Sequence, residues 1–220
     1  MNITQRLLSK ALTLAFILPI TNSLIASDSG VMELGGRLNI VGSDGTPNND
    51  MLGYGLVGHY HLSNNWYVGL TLDISPKFDF ERTAAVVGII QDPAVKVIDA
   101  VGTSSALAGF IERRYPGASG KFLWFWNVGA GFANVDFDNV TGPVQGGGIF
   151  DISTSADTEI LLTSSVGLQQ RINENWSARY TFSLDQHFAD WTVTDSVSGN
   201  SAKIDDYTIY GIRVGMNYRF

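Results

Sequence analysis

The chain has 220 residues, a formal net charge of −7, 45% hydrophobic residues and no cysteine. The negative charge argues against nucleic-acid binding, and without cysteine an exported chain of this size cannot be held together by disulfides. Length and composition allow one or two ordered domains.

Residues 1–27 have the three-part organisation of a secretory signal peptide. Arg6 and Lys10 precede the apolar run "ALTLAFILPI", and the segment ends in the small residues of "TNSLIAS". Such a run is too short to span a bilayer as a helix. We therefore expect residues 1–27 to be removed on export and residues 28–220 to form the mature domain.

The mature chain alternates apolar and polar residues. In "VMELGGRLNIVG", Leu34 and Leu38 alternate with Glu33 and Arg37. The same period of two, which is typical of strands with one apolar face, recurs in "MLGYGLVGHYHL", "WYVGLTLDIS", the segments near 104–115, 121–135, 158–172 and 175–189, and "YTIYGIRVGMNYRF". These are eight strands of about 10 to 15 residues, which is enough to cross a bilayer at a tilt.

The connections alternate in length. Short turns rich in Asn, Gly and Pro are expected at 63–65, 116–120 and 173–175, and long loops at 43–50, 76–103, 136–157 and 190–205. We expect the third long loop, with "GPVQGGGIF", to be flexible. The pattern predicts an all-β fold: an eight-stranded antiparallel up-and-down transmembrane β-barrel of the bacterial outer membrane, with short periplasmic turns and long extracellular loops.

The polar rows of these strands carry charges that would face the barrel axis. Because an isolated buried charge is costly, we expect ion pairs across the lumen. An eight-stranded barrel is just wide enough for its side chains, so we do not expect an open pore of the general porin type. The predicted ion-pair network comprises Glu33, Arg37, Asp73, Glu112, Arg114, Glu159, Arg179, Asp185 and Arg213.

Some inward positions are apolar. Val57, Phe110 and Phe125 lie at similar distances along their strands from the short turns, and Leu161 and Ile209 also point inward. We predict that these residues form a constriction or binding surface for small apolar molecules. The alternative is side-chain packing that fills a small barrel.

The three histidines and one set of Ser, Asp and His are candidate sites of chemistry. His59 and His61 share the inward face of the second strand near its short-turn end, far from His187. Ser183, Asp185 and His187 occupy successive inward positions about 6 to 7 Å apart, a spacing that does not converge as a catalytic triad does. We expect no metal site, no cofactor and no enzymatic activity.

The predicted long loops are rich in Asp and Glu. Divalent cations held by such carboxylates would bridge the loops to lipopolysaccharide phosphates, and a solvated acidic rim is the alternative.

Four stretches resemble the OmpW family of bacterial outer-membrane proteins: "SNNWYVGLTLDISPKFDF", "RRYPGASGKFLWFWNVGAGFANVDFD", "INENWSARYTFSLD" and "YGIRVGMNYRF". The resemblance implies a monomeric barrel with an apolar interior channel for small hydrophobic molecules. It also implies that the last strand, with Tyr218 and Phe220, is the signal read by the barrel assembly machinery. The lumen charges and the second and third loops depart from the family pattern.

The expected function is therefore a narrow channel or binding cavity for small hydrophobic molecules, detergent included. The alternative is a non-conducting structural or adhesive barrel whose loops contact lipopolysaccharide, a host surface or phage.

Overall fold

The computed structural model describes residues 30–43, 51–82, 98–143, 148–155, 158–204 and 206–220. The predicted signal peptide lies outside these residues, as does the middle of the apolar second loop. No helix in the described ranges is long and apolar enough to cross a membrane.

Eight long strands form a closed barrel. They are β1 (Met32–Ser43), β2 (Met51–Ser63), β3 (Trp66–Arg82), β4 (Ile98–Pro116), β5 (Phe122–Phe137), β8 (Glu159–Arg171), β9 (Trp176–Phe188) and β12 (Tyr207–Arg219). The shorter strands β6 (Val140–Pro143), β7 (Ile149–Ser155), β10 (Trp191–Asp195) and β11 (Ser201–Ile204) lie between them. The barrel order is β1-β12-β9-β8-β5-β4-β3-β2, with antiparallel neighbours, which confirms the predicted fold.

The first and last strands close the barrel. β1 pairs with β12 from Glu33 opposite Arg219 to Ser43 opposite Ile209. The amide of Phe220 extends the closure by donating to the carbonyl of Met32 at 3.0 Å. No strand edge of the barrel is therefore left open to lipid, where an unpaired backbone group costs several kcal/mol.

The short turns lie at one end of the barrel, together with both described termini. Between β2 and β3, Asn64 and Asn65 have φ of 50° and 63°. Two consecutive residues with positive φ make a tight hairpin turn, and asparagine tolerates that conformation better than most residues. In outer-membrane barrels the short turns are typically periplasmic and the long loops extracellular, and we name the two ends of this barrel accordingly.

At the extracellular end, the structure corrects the predicted loops 136–157 and 190–205. They contain two hairpins, β6/β7 and β10/β11, joined in one four-stranded sheet of order β11-β10-β7-β6. Residues 142–143 and 149–150 of the segment expected to be flexible lie in these strands, and residues 144–147 lie outside the described ranges. The second predicted loop is also shorter, because β3 continues to Arg82 and β4 begins at Ile98.

The small sheet is held by an apolar cluster. It joins inward residues at the extracellular end of the barrel to the sheet: Val41, Val135, Phe137, Phe150, Ile152, Trp191, Val193, Tyr207 and Ile209. Trp191 is fully buried, and its ring centroid lies 5.2 Å from those of Phe137 and Tyr207. Hydrophobic contact with the barrel is the reason that these short strands are ordered.

The barrel has an inverted distribution of polarity. On the outward rows, Leu52 is 64% and Leu38 is 61% exposed, whereas Glu112, Arg114 and Arg179 inside are buried. Water would penalise this arrangement, because the exposed apolar rows are far larger than the patches found on soluble monomers. The barrel wall is therefore a surface for lipid.

Candidate functional site in the barrel lumen

The inward side chains form three clusters along the barrel axis. We name them the periplasmic cluster (Glu33, Glu112, Arg114 and Arg179), the central cluster (Arg37, Asp73, Asp185 and Arg213) and the extracellular cluster (Glu159, His187 and Tyr207). The first two each contain two acids and two arginines, so that their charges balance.

The periplasmic cluster is centred on Glu112. Arg114 Nε donates to Glu112 Oε1 at 2.6 Å, and Arg114 Nη1 donates to Glu33 Oε1 at 2.8 Å. Arg179 pairs with both carboxylate oxygens of Glu112, at 3.2 Å for Oε1. Asn127 Nδ2 adds a contact to Glu112 Oε2 at 3.3 Å. The carboxylate is fully buried and is compensated by two guanidinium groups.

Aromatic rings fill the space beside these arginines. Arg114 Cζ lies 3.6 Å from the ring centroid of Tyr67, and Arg179 Cζ lies 3.5 Å from that of Phe125. Desolvated cation–π contacts of this kind are worth about 2 kcal/mol each. His59 packs edge-on against Phe110, with its Nε2 at 3.7 Å from Glu112 Oε2. The lumen is therefore packed at this level.

The central cluster has two connected pairs. Arg37 pairs with Asp73, donating from Nε to Oδ1 at 2.9 Å, and Asn39 Nδ2 donates to the same oxygen at 2.8 Å. Arg213 pairs with Asp185 and lies 4.0 Å from Asp73. Because Arg213 faces both acids, it links the two pairs across the lumen.

The extracellular cluster lies beneath the small sheet. His187 Nδ1 is 2.9 Å from Glu159 Oε2, and the Tyr207 hydroxyl donates to the same oxygen at 3.0 Å. The His187 and Tyr207 rings are stacked with centroids 4.6 Å apart. Eight of the nine charged residues predicted for the lumen thus pair with opposite charges in the two lower clusters, and Glu159 is bound by His187 and Tyr207.

The five apolar residues proposed as a constriction are not brought into one ring. Val57 and Phe110 line a lower cavity between the periplasmic and central clusters. Leu161 and Ile209 line an upper cavity between the central and extracellular clusters. Phe125 lies against Arg179, below both.

The phenyl rings lie along the barrel wall because inward glycines make room for them. A Cβ added at Gly69 would overlap Phe110 Cζ, and one added at Gly167 would overlap Phe125 Cζ. Such covering of a strand glycine by an aromatic ring stabilises sheets. The rings therefore pack on the wall instead of projecting across the axis.

Both cavities are small. The lower leaves about 10 Å³ and the upper about 50 Å³ for the centre of a water molecule. One buried water needs roughly 10 to 15 Å³ by this measure. The lower cavity thus has room for about one water molecule, which leaves no wide aqueous path at that level.

The candidate catalytic residues do not converge. Asp185 binds Arg213 and accepts from Thr163 Oγ1 at 2.6 Å, while His187 binds Glu159. His61 stacks on Tyr67 with centroids 4.6 Å apart. In the part of the chain that the structure describes, no group of three His, Asp or Glu side chains is placed to hold a metal ion.

Sequence reasoning missed the part played by Trp191 and Tyr207 at the extracellular end. The signal was present but short: Trp191 and Val193 alternate with Thr192 and Thr194, and Tyr207 continues the inward row of the last strand.

Comparison with known proteins gives the fold. No protein-family model matches the sequence. No curated protein matches it significantly either. A major outer membrane protein from Thermus thermophilus is similar in structure, with a TM-score of 0.59 and 14% identity over 87% of this chain and 100% of that chain.

Two further solved structures share the fold. Neisserial surface protein A has a TM-score of 0.54 and 8% identity over 86% of this chain and 96% of that chain. The outer membrane protein OprG from Pseudomonas aeruginosa has a TM-score of 0.53 and 12% identity over 87% of this chain and 96% of that chain. With its apolar outer wall, the chain is a small eight-stranded β-barrel of the bacterial outer membrane.

Proposed function

We propose that the protein is a closed, non-conducting outer-membrane barrel that anchors a four-stranded sheet at the cell surface. The observation that carries this proposal is the pair of charge-balanced clusters, periplasmic and central, that cross the lumen one above the other. Breaking one buried ion pair by removing a partner costs roughly 3 to 5 kcal/mol. An open path would require both clusters to separate, and each cluster that stays intact closes the lumen.

The small sheet supplies the surface for contact. Its outward cross-strand rows place Ser153, Thr194 and Ser201 together, and Ser155, Thr192 and Lys203 together. The extracellular side also carries acids, among them Asp136, Asp138, Asp190 and Asp206. As first partner we propose lipopolysaccharide, bridged by divalent cations to these carboxylates.

Two finer assignments belong to the same proposal. We infer that the chain is an OmpW-like monomeric barrel, on the order and spacing of the motifs that resemble that family. Tyr218 and Phe220 are proposed as the signal that the barrel assembly machinery reads.

A second candidate is favoured by the lining of the upper cavity. Val41, Ala106, Ala108, Leu161 and Ile209 give this cavity an apolar side, and the apolar cluster with Trp191 lies over it. A small hydrophobic molecule in this space would make the protein a binding cavity, as the sequence resemblance implies.

Conductance in planar bilayers tests the proposal. The refolded wild type should show no current steps at any voltage, with or without a long-chain amphiphile. Replacing Glu112, Arg179, Asp185 and Arg213 with Ala removes one pair from each cluster. This variant should show current steps. The two double variants that lose the pair of only one cluster should remain silent, because the other cluster is intact and still closes the lumen.

Small, reproducible current steps of the wild type that the amphiphile blocks would contradict the proposal of a non-conducting barrel. Ala108→Leu then tests the second candidate, because the larger side chain fills the upper cavity. The block should disappear in this variant if the cavity binds the amphiphile. Retained heat-modifiable mobility on gels would show that each variant is folded.

A further inference from the structure

An arginine lies on the lipid-facing wall near the periplasmic end. Arg113 belongs to the outward row of β4, between Ile111 and Tyr115, which are 49% and 47% exposed. Its cross-strand neighbours are Trp66 on β3 and Trp126 on β5. A cation in this row stands out, because the outward residues around it are apolar or aromatic.

The surrounding groups hold the guanidinium without neutralising it. Its Cζ lies 5.1 Å from the Trp66 ring centroid and 5.8 Å from that of Tyr115, and it donates to the carbonyl of Asn64. Among the described residues Arg113 has no carboxylate partner. Arginine has five N–H donors, so several remain for a ligand that carries negative charge.

The neighbouring aromatic residues form a fixed frame. The Trp66 and Trp126 rings meet edge to face with centroids 5.7 Å apart, although β4 separates their strands. Trp126 Nε1 also donates to the Tyr115 hydroxyl at 3.2 Å. Tryptophan and tyrosine prefer the depth of the lipid headgroups, which places Arg113 at the level of lipid phosphates.

The charge of this end of the barrel fits an anionic lipid. The short-turn end also carries Lys121, Arg171 and Arg219 against the acid Glu174, whereas the extracellular end is rich in Asp. Each basic residue near a membrane surface contributes about 1 kcal/mol of attraction to anionic lipid.

A shallow notch continues from Arg113 toward the middle of the membrane. Ile111 is followed on the outward row by Gly109, which lies between Leu70 and Ala130. A Cβ added at Gly109 would lie 3.7 Å from Leu70 Cδ2, an ordinary contact, so the space over this glycine is open on the lipid side. At a strand rise of about 3.3 Å per residue, the notch lies roughly 13 Å from Arg113, within the reach of an acyl chain.

We propose that this wall binds one anionic phospholipid of the periplasmic leaflet. The phosphate binds the Arg113 guanidinium, the glycerol region lies against Trp66 and Trp126, and one acyl chain follows Ile111 to the notch at Gly109. The site is distinct from the lumen and does not depend on whether the barrel conducts.

Lipid retention tests the site. The full-length mature chain is refolded in vesicles of equal phosphatidylglycerol and phosphatidylcholine, extracted in mild detergent, and the retained lipids are counted by native mass spectrometry. The wild type should retain phosphatidylglycerol in preference to phosphatidylcholine. Arg113→Gln should weaken that preference about fivefold, the factor expected for one surface cation, and Arg113→Lys should largely keep it.

Two matched controls separate a site from general attraction. Arg171→Gln removes an exposed charge at the same end of the barrel and should leave the preference nearly unchanged. Gly109→Val should lower retention by filling the notch, whereas Gly36→Val adds the same bulk at a lipid-facing glycine where an added Cβ meets nothing within 4 Å. Gly36→Val should have no effect.

Equal losses in the Arg113→Gln and Arg171→Gln variants would overturn the proposal, because they would show diffuse attraction to the rim. A wild type without preference for phosphatidylglycerol would overturn it as well. If Gly109→Val and Gly36→Val change lipid retention equally, the notch is not part of the lipid site. Arg113 and both glycines face outward, so the variants should fold, and gel mobility checks this.

Discussion

At the scale of single residues, Glu112 shows how the lumen is held together. Its carboxylate is fully buried and is bound by Arg114, Arg179 and Asn127. A buried ion pair is not by itself strong evidence of stability, since apolar residues of the same volume often do as well. Removing one member is a different matter, because it leaves the opposite charges buried without compensation.

We expect Glu112→Gln to lower the free energy of unfolding by about 3 to 5 kcal/mol, since it leaves the buried Arg179 guanidinium without its carboxylate partner and takes one of two from Arg114. Urea titration of the refolded barrel in vesicles measures this change. Lys203→Gln is the control, because its pair with Asp190 is largely exposed, and it should change stability by at most about 1 kcal/mol. A Glu112→Gln barrel as stable as this control would refute the structural weight given to the periplasmic cluster.

At the scale of elements, a turn fixes the extracellular sheet. The Asp195 carboxylate at the end of β10 accepts from the amides of Asp151 at 3.0 Å, Val197 at 3.2 Å and Ser198 at 3.1 Å. The first of these bonds joins the two hairpins, and the others shape the turn before Gly199, whose φ is +73°. One side chain thus organises both the turn and the junction.

Acid should loosen this turn. Burial raises the pKa of Asp195, but the hydrogen bonds from Ser198, Asp151 and Val197 together hold it below its ordinary value. The stabilisation is therefore complete above the ordinary aspartate pKa and is lost as the pH falls through the lowered pKa. Hydrogen-exchange protection of β10 and β11, corrected for intrinsic rates, should fall in that acid range.

Asp195→Ala should lower the same protection already at neutral pH and remove its acid dependence, while the barrel strands stay protected. Asp190→Ala, which does not touch the turn, serves as the control. If acid still lowers the hydrogen-exchange protection in the Asp195→Ala variant, another titrating group causes the effect.

The elements also show what the sequence could and could not predict. The eight barrel strands were predictable because each must present one continuous apolar face to lipid, as the outward row of β12 does with Tyr210, Ile212 and Val214. The strands β6, β7, β10 and β11 were missed because they have only 4 to 7 residues. They are rich in Ser and Thr, and their order comes from contact with the barrel through residues such as Trp191.

The sequence predicts which residues of a strand face the lumen, but not the height along the barrel axis at which each of them lies. Alternation places Phe110 and Phe125 inside, yet distance along a strand does not give height along the axis, because barrel strands are tilted and staggered. The two rings therefore lie in different layers, Phe110 beside the lower cavity and Phe125 against Arg179. Partner choice, such as Glu159 with His187, depends on the same stagger and was equally hidden.

At the scale of the whole molecule, the last residue belongs to the outside of the barrel. Phe220 is 73% exposed, and its ring lies edge-on to Tyr218, which in turn contacts Trp176. A side chain so exposed contributes little to the folded core. Its proposed part is in recognition during assembly, which is a kinetic event in the cell.

We therefore expect Phe220→Ala to lower the free energy of unfolding in vesicles by no more than about 1.5 to 3 kcal/mol, the contribution of one aromatic side chain that moves from water into lipid. The fraction of chain assembled in the outer membrane of cells should fall severalfold. Phe132→Ala, which removes an equally outward aromatic residue in mid-strand, should not reduce cellular assembly to the same degree. Matching defects in cells would mean that general apolar surface, not the terminal position, is recognised.

The closure of β1 on β12 has a consequence for the order of events in folding. The contacts that seal the cylinder join residue 33 to residue 219, so they are nearly as distant in sequence as the chain permits. Loop-closure entropy makes such high contact order slow, and until the last strand arrives both ends of the sheet expose templates for aggregation. A chain that lacks β12 therefore cannot close the barrel. The cell must also keep the complete but still unclosed chain soluble while it crosses the periplasm.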